Sequence, residues 1–147
     1  MKVKFYKFRA LLVLVIIRML GKIFFVEIPP ILSVAALIKR DEKFLFLNYS
    51  YMKGYGLPGG LVSTNENLEQ ALEREVKEEA GLEIVTSTFF TSTTSIFYGL
   101  PTISIVFYVD VKGEEIASEE GALQWLKIED VKGKMAYESA EIAVQKI

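Results

Sequence analysis

Apolar residues fall one turn apart at Leu68, Leu72, Val76 and Ala80, with Gln70, Glu73 and Lys77 between them. This spacing predicts an amphipathic helix whose stripe packs on a sheet and whose far side is solvated. Asn67, followed three residues later by Gln70, is a capping-box signature at the helix start, and Gly81 stands where a left-handed stop belongs. On either side the pattern changes. Residues 33–38 and 43–47 read as two strands around the polar turn Lys39-Arg40-Asp41-Glu42. Residues 83–94 are rich in β-branched side chains and suit a strand, the Thr and Ser run alternating acceptably for a strand surface. Tyr98-Gly99-Leu100-Pro101 reads as a turn. Residues 102–111, nearly continuous in apolar and aromatic side chains, read as a central strand. An acidic loop over 112–121 precedes a short strand over 122–128, where Trp125 is most simply a core or sheet residue. Residues 137–147 have the apolar spacing of a closing helix. Strands flanking one helix and followed by another predict an α/β fold, a mixed sheet between helical layers.

Residues 1–28 do not share this rhythm. KVKFYKFRALLVLVIIRMLGKIFFVEI is a long apolar run in which Lys4, Lys7, Arg18 and Lys22, wound as a helix, fall within about 60° of one another. Pro29-Pro30 ends it, so the chain divides into an N-terminal apolar, basic helical extension, 1–30, and a domain, 31–147. A transmembrane span is disfavoured by Arg18 and Lys22 in mid-span, each costing about 2.5–3.5 kcal/mol near a helix centre. A signal peptide would need a small-residue cleavage site soon after Ile17, and charges resume instead. A peripheral basic amphipathic helix fits the narrow cationic stripe. The preferred reading is a helix packed on the domain or across a homodimer, its cations snorkelling at the rim.

Composition narrows the chemistry. At 147 residues the chain can bury a real core as one domain. Its net charge of −2 supplies no basic field for nucleic acid. Without cysteine there are no disulfides, thiolate metal sites or cysteine nucleophiles. Without histidine, acid–base work near neutral pH falls to carboxylates, Lys, Tyr or metal-bound water. The expected setting is cytoplasmic, with peripheral membrane contact through residues 1–28 as the alternative.

Charge placement on the predicted helix is the sharpest signal. At about 100° per residue, Glu78 lies roughly 60° to one side of Glu75 and Glu79 roughly 40° to the other. Like charges so placed repel by a few tenths of a kcal/mol per pair, and a hard divalent cation such as Mg²⁺ or Mn²⁺ reverses that sign. Arg74 stands beside Glu75 and one turn before Glu78, able to orient a carboxylate by a charge-assisted hydrogen bond. Gly59 and Gly60 before the helix permit a tight turn and expose a carbonyl, a further oxygen for a hard cation.

Residues 60–82 read GLVSTNENLEQALEREVKEEAGL: Gly60, five residues, Glu66, seven residues, then Arg74-Glu75-Val76-Lys77-Glu78-Glu79-Ala80-Gly81-Leu82, led in by Tyr55-Gly56-Leu57-Pro58-Gly59. This resembles the box of the Nudix pyrophosphohydrolases at every specified position. The resemblance covers roughly residues 31–147, of which only the box and its lead-in are specific. It implies a Nudix α/β/α sandwich and Mg²⁺-dependent cleavage of the diphosphate linkage in a small nucleotide substrate. ADP-ribose, nucleoside diphosphate sugars and dinucleoside polyphosphates are the class expected. The alternatives are a MutT-like triphosphate pyrophosphohydrolase and a non-catalytic nucleotide-binding or membrane-peripheral module. It further implies Glu78 and Glu79 as principal metal ligands, with Glu75 adding a ligand or acting as base. Arg74 would hold Glu75, Glu66 would brace the turn or reach a metal through water, and the Gly59 carbonyl would complete the ion's ligands.

Candidates outside the box are fewer. In many Nudix enzymes a carboxylate from the loop before the last strand is a further metal ligand or the catalytic base, a role that would fall to Glu119 or Glu120, with Glu120 preferred. Tyr49, Tyr51, Tyr55 and Tyr98 could stack on a nucleobase, Tyr55 and Tyr98 foremost, the competing role being sheet-edge packing. Within the family a Tyr near the offset of Tyr98 accompanies diadenosine polyphosphate hydrolysis. A Pro near it accompanies ADP-ribose hydrolysis, and Pro101 falls slightly late.

Overall fold

A computed structural model of the chain describes residues 29–147 apart from 117 and 118, together with Val13, Ile16, Met19 and Leu20. The expected N-terminal helical extension therefore lies almost wholly outside the described residues, and with it the homodimer and membrane contacts suggested for it. Among the described residues no helix is long and apolar enough to cross a membrane.

Seven strands form the sheet: β1 (Ile31–Arg40), β2 (Lys43–Tyr49), β3 (Tyr55–Gly56), β4 (Gly59–Leu61), β5 (Glu83–Phe97), β6 (Leu100–Lys112) and β7 (Gly121–Leu126). Within the described part of residues 29–147 the helices are α1 (Leu68–Ala80), α2 (Ile128–Val131) and α3 (Glu138–Gln145). Strands run in the order β3-β2-β1-β6-β5, with β4 added to β1 and β7 to β2. The β1–β6 pair is parallel and the other pairings are antiparallel, so the sheet is mixed.

Alternation along β1 divides the core. Val34, Ala36 and Ile38 point to one face, where they meet Ala71, Leu72, Val76 and Ala80 of α1. Leu37 points to the other, joining Phe46, Leu57, Val106, Ile128, Val131, Ala143 and Val144 beneath α2 and α3. Helices thus cover both faces, the α/β/α sandwich expected from the sequence. The strand over 102–111 is internal, as β6 lies between β1 and β5.

Several boundaries move. The β5 strand runs on to Phe97 because Tyr98 and Gly99 alone make the turn, both at positive φ (47° and 79°), the backbone of a tight two-residue hairpin. The last strand stops at Leu126, and Ile128 instead opens α2, a single turn too short for periodicity to reveal. The closing helix is Glu138–Gln145.

Candidate active site

The lead-in turn is fixed against β1. Ala35 pairs with Gly59 and Val34 with Gly60, and Ala36 N–H donates to the Pro58 carbonyl at 2.8 Å. The helix that follows starts on a complete capping box: Asn67 accepts from Gln70 N–H at 2.8 Å, and Gln70 Oε1 accepts from Asn67 N–H at 3.0 Å. It ends at Gly81, φ 74°, whose N–H donates to the Lys77 carbonyl. Both ends being set, the faces of α1 are set as well.

The buried face is wider than the apolar stripe. Glu75 and Glu79 are 4% and 3% exposed, enclosed between α1 and the Gly59–Leu61 strand. Glycine is required here for space: a methyl group at Gly60 would collide with the Glu75 carboxylate. A buried carboxylate needs a partner of opposite charge or several donors. Glu75 has Arg74, whose Nη1 lies 2.7 Å from its Oε1. Glu79 accepts the Gly59 N–H at 2.9 Å.

Arg74 is the hub. Its Nε and Nη2 bind the two oxygens of Glu66 at 3.0 and 2.7 Å, and Nη2 also donates to the Leu61 carbonyl at 3.1 Å. Its Nη1 stands 3.6 Å from Glu78 Oε2. Glu66 also accepts the Ser63 N–H at 2.7 Å. The guanidinium, with that amide, holds the Glu66 carboxyl down to about 2, and Glu66 in turn raises the pKa of Arg74. Of the two roles expected for Glu66, this geometry favours bracing: both oxygens are engaged by Arg74.

The three helix carboxylates share an edge without closing on one point, which departs from the simple convergence expected from their spacing. Among the described residues no three acidic side chains are placed to clasp one ion. The reason lies in their partners: Arg74 draws Glu75 and Glu78 toward the start of the helix, and the Gly59 amide draws Glu79 across to the turn. The donor chemistry still fits a hard divalent cation, with Glu66, Glu75 and Glu78 gathered about a single guanidinium, Glu79 on the adjoining turn, and all donors being oxygen. Glu78, half exposed, is the carboxylate best able to turn toward solvent.

Beside Glu79 stands a group of rings that the sequence did not assemble. Tyr49 contacts Tyr51 and Tyr137 at centroid separations of 5.3 and 5.6 Å. Phe97 contacts Tyr137 at 5.5 Å and Tyr98 at 4.6 Å. Burial raises the pKa of the Tyr49, Tyr51 and Tyr137 phenols, and the Glu79 and Glu120 carboxylates raise all three further. Glu120 belongs to this group. Its carbonyl accepts from Ser50 N–H at 2.9 Å and its Oε2 accepts from the Tyr51 hydroxyl at 3.4 Å. Tyr98 lies at the rim. Tyr55 does not join: it packs edge-on to Phe46 within the core beneath α2 and α3, and its backbone bonds to Lys134 and Ala136. Tyr137 and Phe97 escaped the sequence reading because one opens a helix and the other closes a strand, and only the fold brings them together.

The acidic loop is pinned at its other end. Ile116 N–H caps the Ala80 carbonyl at 3.0 Å. Glu115 joins Arg40 at 2.9 Å and the Trp125 indole N–H at 3.1 Å, with the Arg40 guanidinium 4.2 Å from the Trp125 ring centroid. Trp125 is thus a strand residue that anchors this loop.

Comparison with known proteins bears on the family and the fold. The family model described as NUDIX domain matches residues 29–145. An ADP-ribose pyrophosphatase of Methanocaldococcus jannaschii is 33% identical over 105 residues, covering 63% of this chain and 58% of that protein, so the match spans less than two thirds of that relative. An 8-oxo-dGTP diphosphatase of Buchnera aphidicola is 33% identical over 106 residues, covering 67% of this chain and 78% of the other. Among solved structures, a MutT NUDIX hydrolase from Burkholderia pseudomallei superposes with a TM-score of 0.73 at 26% identity, over 82% of this chain and 99% of its own. A complete box on a capped helix, set in this sandwich and matched by this family, places the chain among the Nudix hydrolases, enzymes that act on pyrophosphate bonds.

Proposed function

We propose that this chain hydrolyses the diphosphate linkage of a nucleoside diphosphate derivative. The observation that carries the reading is the Arg74 hub, which holds Glu66 and Glu75 in place beside Glu79 on the Gly59 turn and the solvent-facing Glu78. Glu78 and Glu79 would hold Mg²⁺ or Mn²⁺, with Glu75 and the Gly59 carbonyl as further oxygens. When bound, the cation would offset phosphate charge and acidify water. The chain's own residues do the remainder. Arg74 would hold Glu75 oriented, placed to accept a proton from attacking water. The Gly59–Gly60 backbone, with no side chains, lets phosphate oxygens approach the helix closely. The tyrosines give the nucleoside end a surface on which to lie.

A MutT-like action on triphosphates is the second reading, favoured by the Buchnera relative at the same identity as the archaeal one. Product analysis separates them: two monophosphates in the first case, a monophosphate and pyrophosphate in the second. The test is a Mg²⁺-dependent screen of ADP-ribose, nucleoside diphosphate sugars, dinucleoside polyphosphates and modified triphosphates with the wild type and Glu78→Gln. The variant should lose about 100-fold or more in kcat, the scale of removing one group that stabilises transition-state charge. Wild-type rates in Glu78→Gln across the panel would overturn the proposal.

A further inference from the structure

We infer that the outer edge of β5 is a self-association surface, at which a second copy of this chain adds its own β5 antiparallel about a two-fold axis at Thr94. The β5 strand is 15 residues long and ends the strand order, and among the described residues no strand pairs with its outer side. By contrast, β3 and β4 span two and three residues. The free N–H and C=O groups of a long edge template further pairing, so such edges are ordinarily blunted by charged side chains, proline or bulges. Charged residues make up 24% of the chain, yet none occurs between Glu83 and Asp110. Bulges between Ile84 and Thr86 and between Phe89 and Thr91 interrupt the first part of β5. They leave Thr91 to Phe97 in unbroken register with β6.

The hairpin turn fixes which groups face outward. Phe97 and Leu100 pair directly across Tyr98-Gly99, so their backbones bond each other. Alternation then turns the N–H and C=O of Ile96, Thr94 and Ser92 away from β6. The Ser92 carbonyl agrees, since it accepts from the Lys146 ammonium at 3.5 Å. That contact is long, and a backbone donor can replace it while Lys146 keeps its 2.6 Å bond to Thr91 Oγ1. A two-fold at Thr94 sets Ser92 against Ile96 of the other copy and Thr94 against its own equivalent, each pair exchanging both backbone bonds. The side chains suit this register. Ser92, Thr94 and Ile96 pair with Ile105, Ile103 and Pro101, on the sheet face that α1 covers only in part. On that face Phe89 and Ile96 are 60% and 62% exposed. The two-fold brings Ile96 of each copy diagonal to Phe89 of the other, an aromatic–aliphatic contact across the seam. Self-pairing also explains the missing charges: a charge near the axis would meet its own equivalent, and like charges directly opposite destabilise a strand pair. A foreign strand would be selected by charge or by side-chain pockets, and this edge offers neither, whereas a second copy needs only the matching register.

The experiment is sedimentation equilibrium of the full chain. Between about 1 and 200 µM it should pass from monomer to dimer, the range of a small, weak interface. Thr94 is exposed, so Thr94→Lys should leave the melt of the monomer unchanged. It sets two cations against each other at the axis and should weaken the dimer about 10-fold or more. The chain has no cysteine, so Thr94→Cys reports the geometry itself. Opposed Cα atoms about 5.5 Å apart lie within disulfide reach, and mild oxidation should join two copies. Glu73→Cys, on the solvated side of α1, should not cross-link. Monomer at every concentration overturns the inference, as does Thr94→Cys cross-linking no better than Glu73→Cys. A dimer indifferent to Thr94→Lys also overturns it and assigns the contact to another surface, such as residues 1–28. Growth beyond the dimer overturns it as well, because a two-fold seam occupies both edges and closes the assembly.

Discussion

The acidic cradle draws its groups from residues 59–79, whereas the aromatic wall beside it collects Tyr51, Phe97, Glu120 and Tyr137 from four separate stretches. Glu79 borders both. In the cradle Glu66, Glu75 and Glu79 are tied by contacts of 2.7–3.0 Å, Glu75 and Glu79 are almost fully buried, and Glu78 alone of the four carboxylates faces solvent. In the wall the contacts are between rings, and two of the tyrosines are about half exposed. The contrast teaches how the labour is divided: the cradle is rigid and fixed by one capped helix, and the wall can vary with loop and strand ends while the fold stands.

Substitutions should therefore separate the two regions. The largest effect is expected from Arg74→Ala, which strips Glu66 of its bidentate partner and leaves the buried Glu75 without its guanidinium. A loss of about 3 kcal/mol follows, the lower part of the range for breaking a buried pair because Arg74 is 31% exposed. Calorimetric Tm should drop by roughly 10 °C for a domain of this size. A Tm within about 2 °C of wild type, the scale of ordinary surface substitutions, would mean the hub is not structural.

Next comes Glu66→Gln, read through pH. The folded carboxyl is lowered from 4.5 to about 2, so its stabilisation is fully present above 4.5 and is lost as pH falls toward 2. Wild-type stability should decline across that window, and the Glu66→Gln curve should decline less steeply there. Parallel curves from denaturant melts at pH 5 and pH 3 would refute the assignment. The smallest effect belongs to the wall: Tyr51→Phe removes hydroxyl contacts at a half-exposed ring and should cost less than about 1 kcal/mol. A cost comparable to Arg74→Ala would erase the distinction.

The same division explains what could be read in the sequence. The helix, its cap, its stop and the cradle residues all lie within one turn-and-helix stretch, where spacing translates directly into geometry. The fold class followed from alternating strands around that helix. What spacing could not give was partnership over distance. Tyr55, adjacent to the box, turns into the opposite core, while Tyr137, more than fifty residues beyond it, comes to the site. Nor could spacing show that Gly59 N–H and Arg74 pull the three carboxylates along different directions. The Tyr98-Gly99 hairpin turn was blurred because a bulky residue takes a positive φ usually left to Gly, Asn or Asp.

The cradle's hold on a divalent cation is the claim on which the rest depends. Mg²⁺ titrated into the protein with a non-hydrolysable dinucleotide analogue, followed by calorimetry, tests it directly on the wild type and on Glu78→Gln and Glu79→Gln. A saturable site in the wild type, weakened about 10-fold or more in each variant, is the predicted result, that range matching the loss of one carboxylate's coupling to the ion. No Mg²⁺ binding in the wild type, or equal binding in all three proteins, would contradict it.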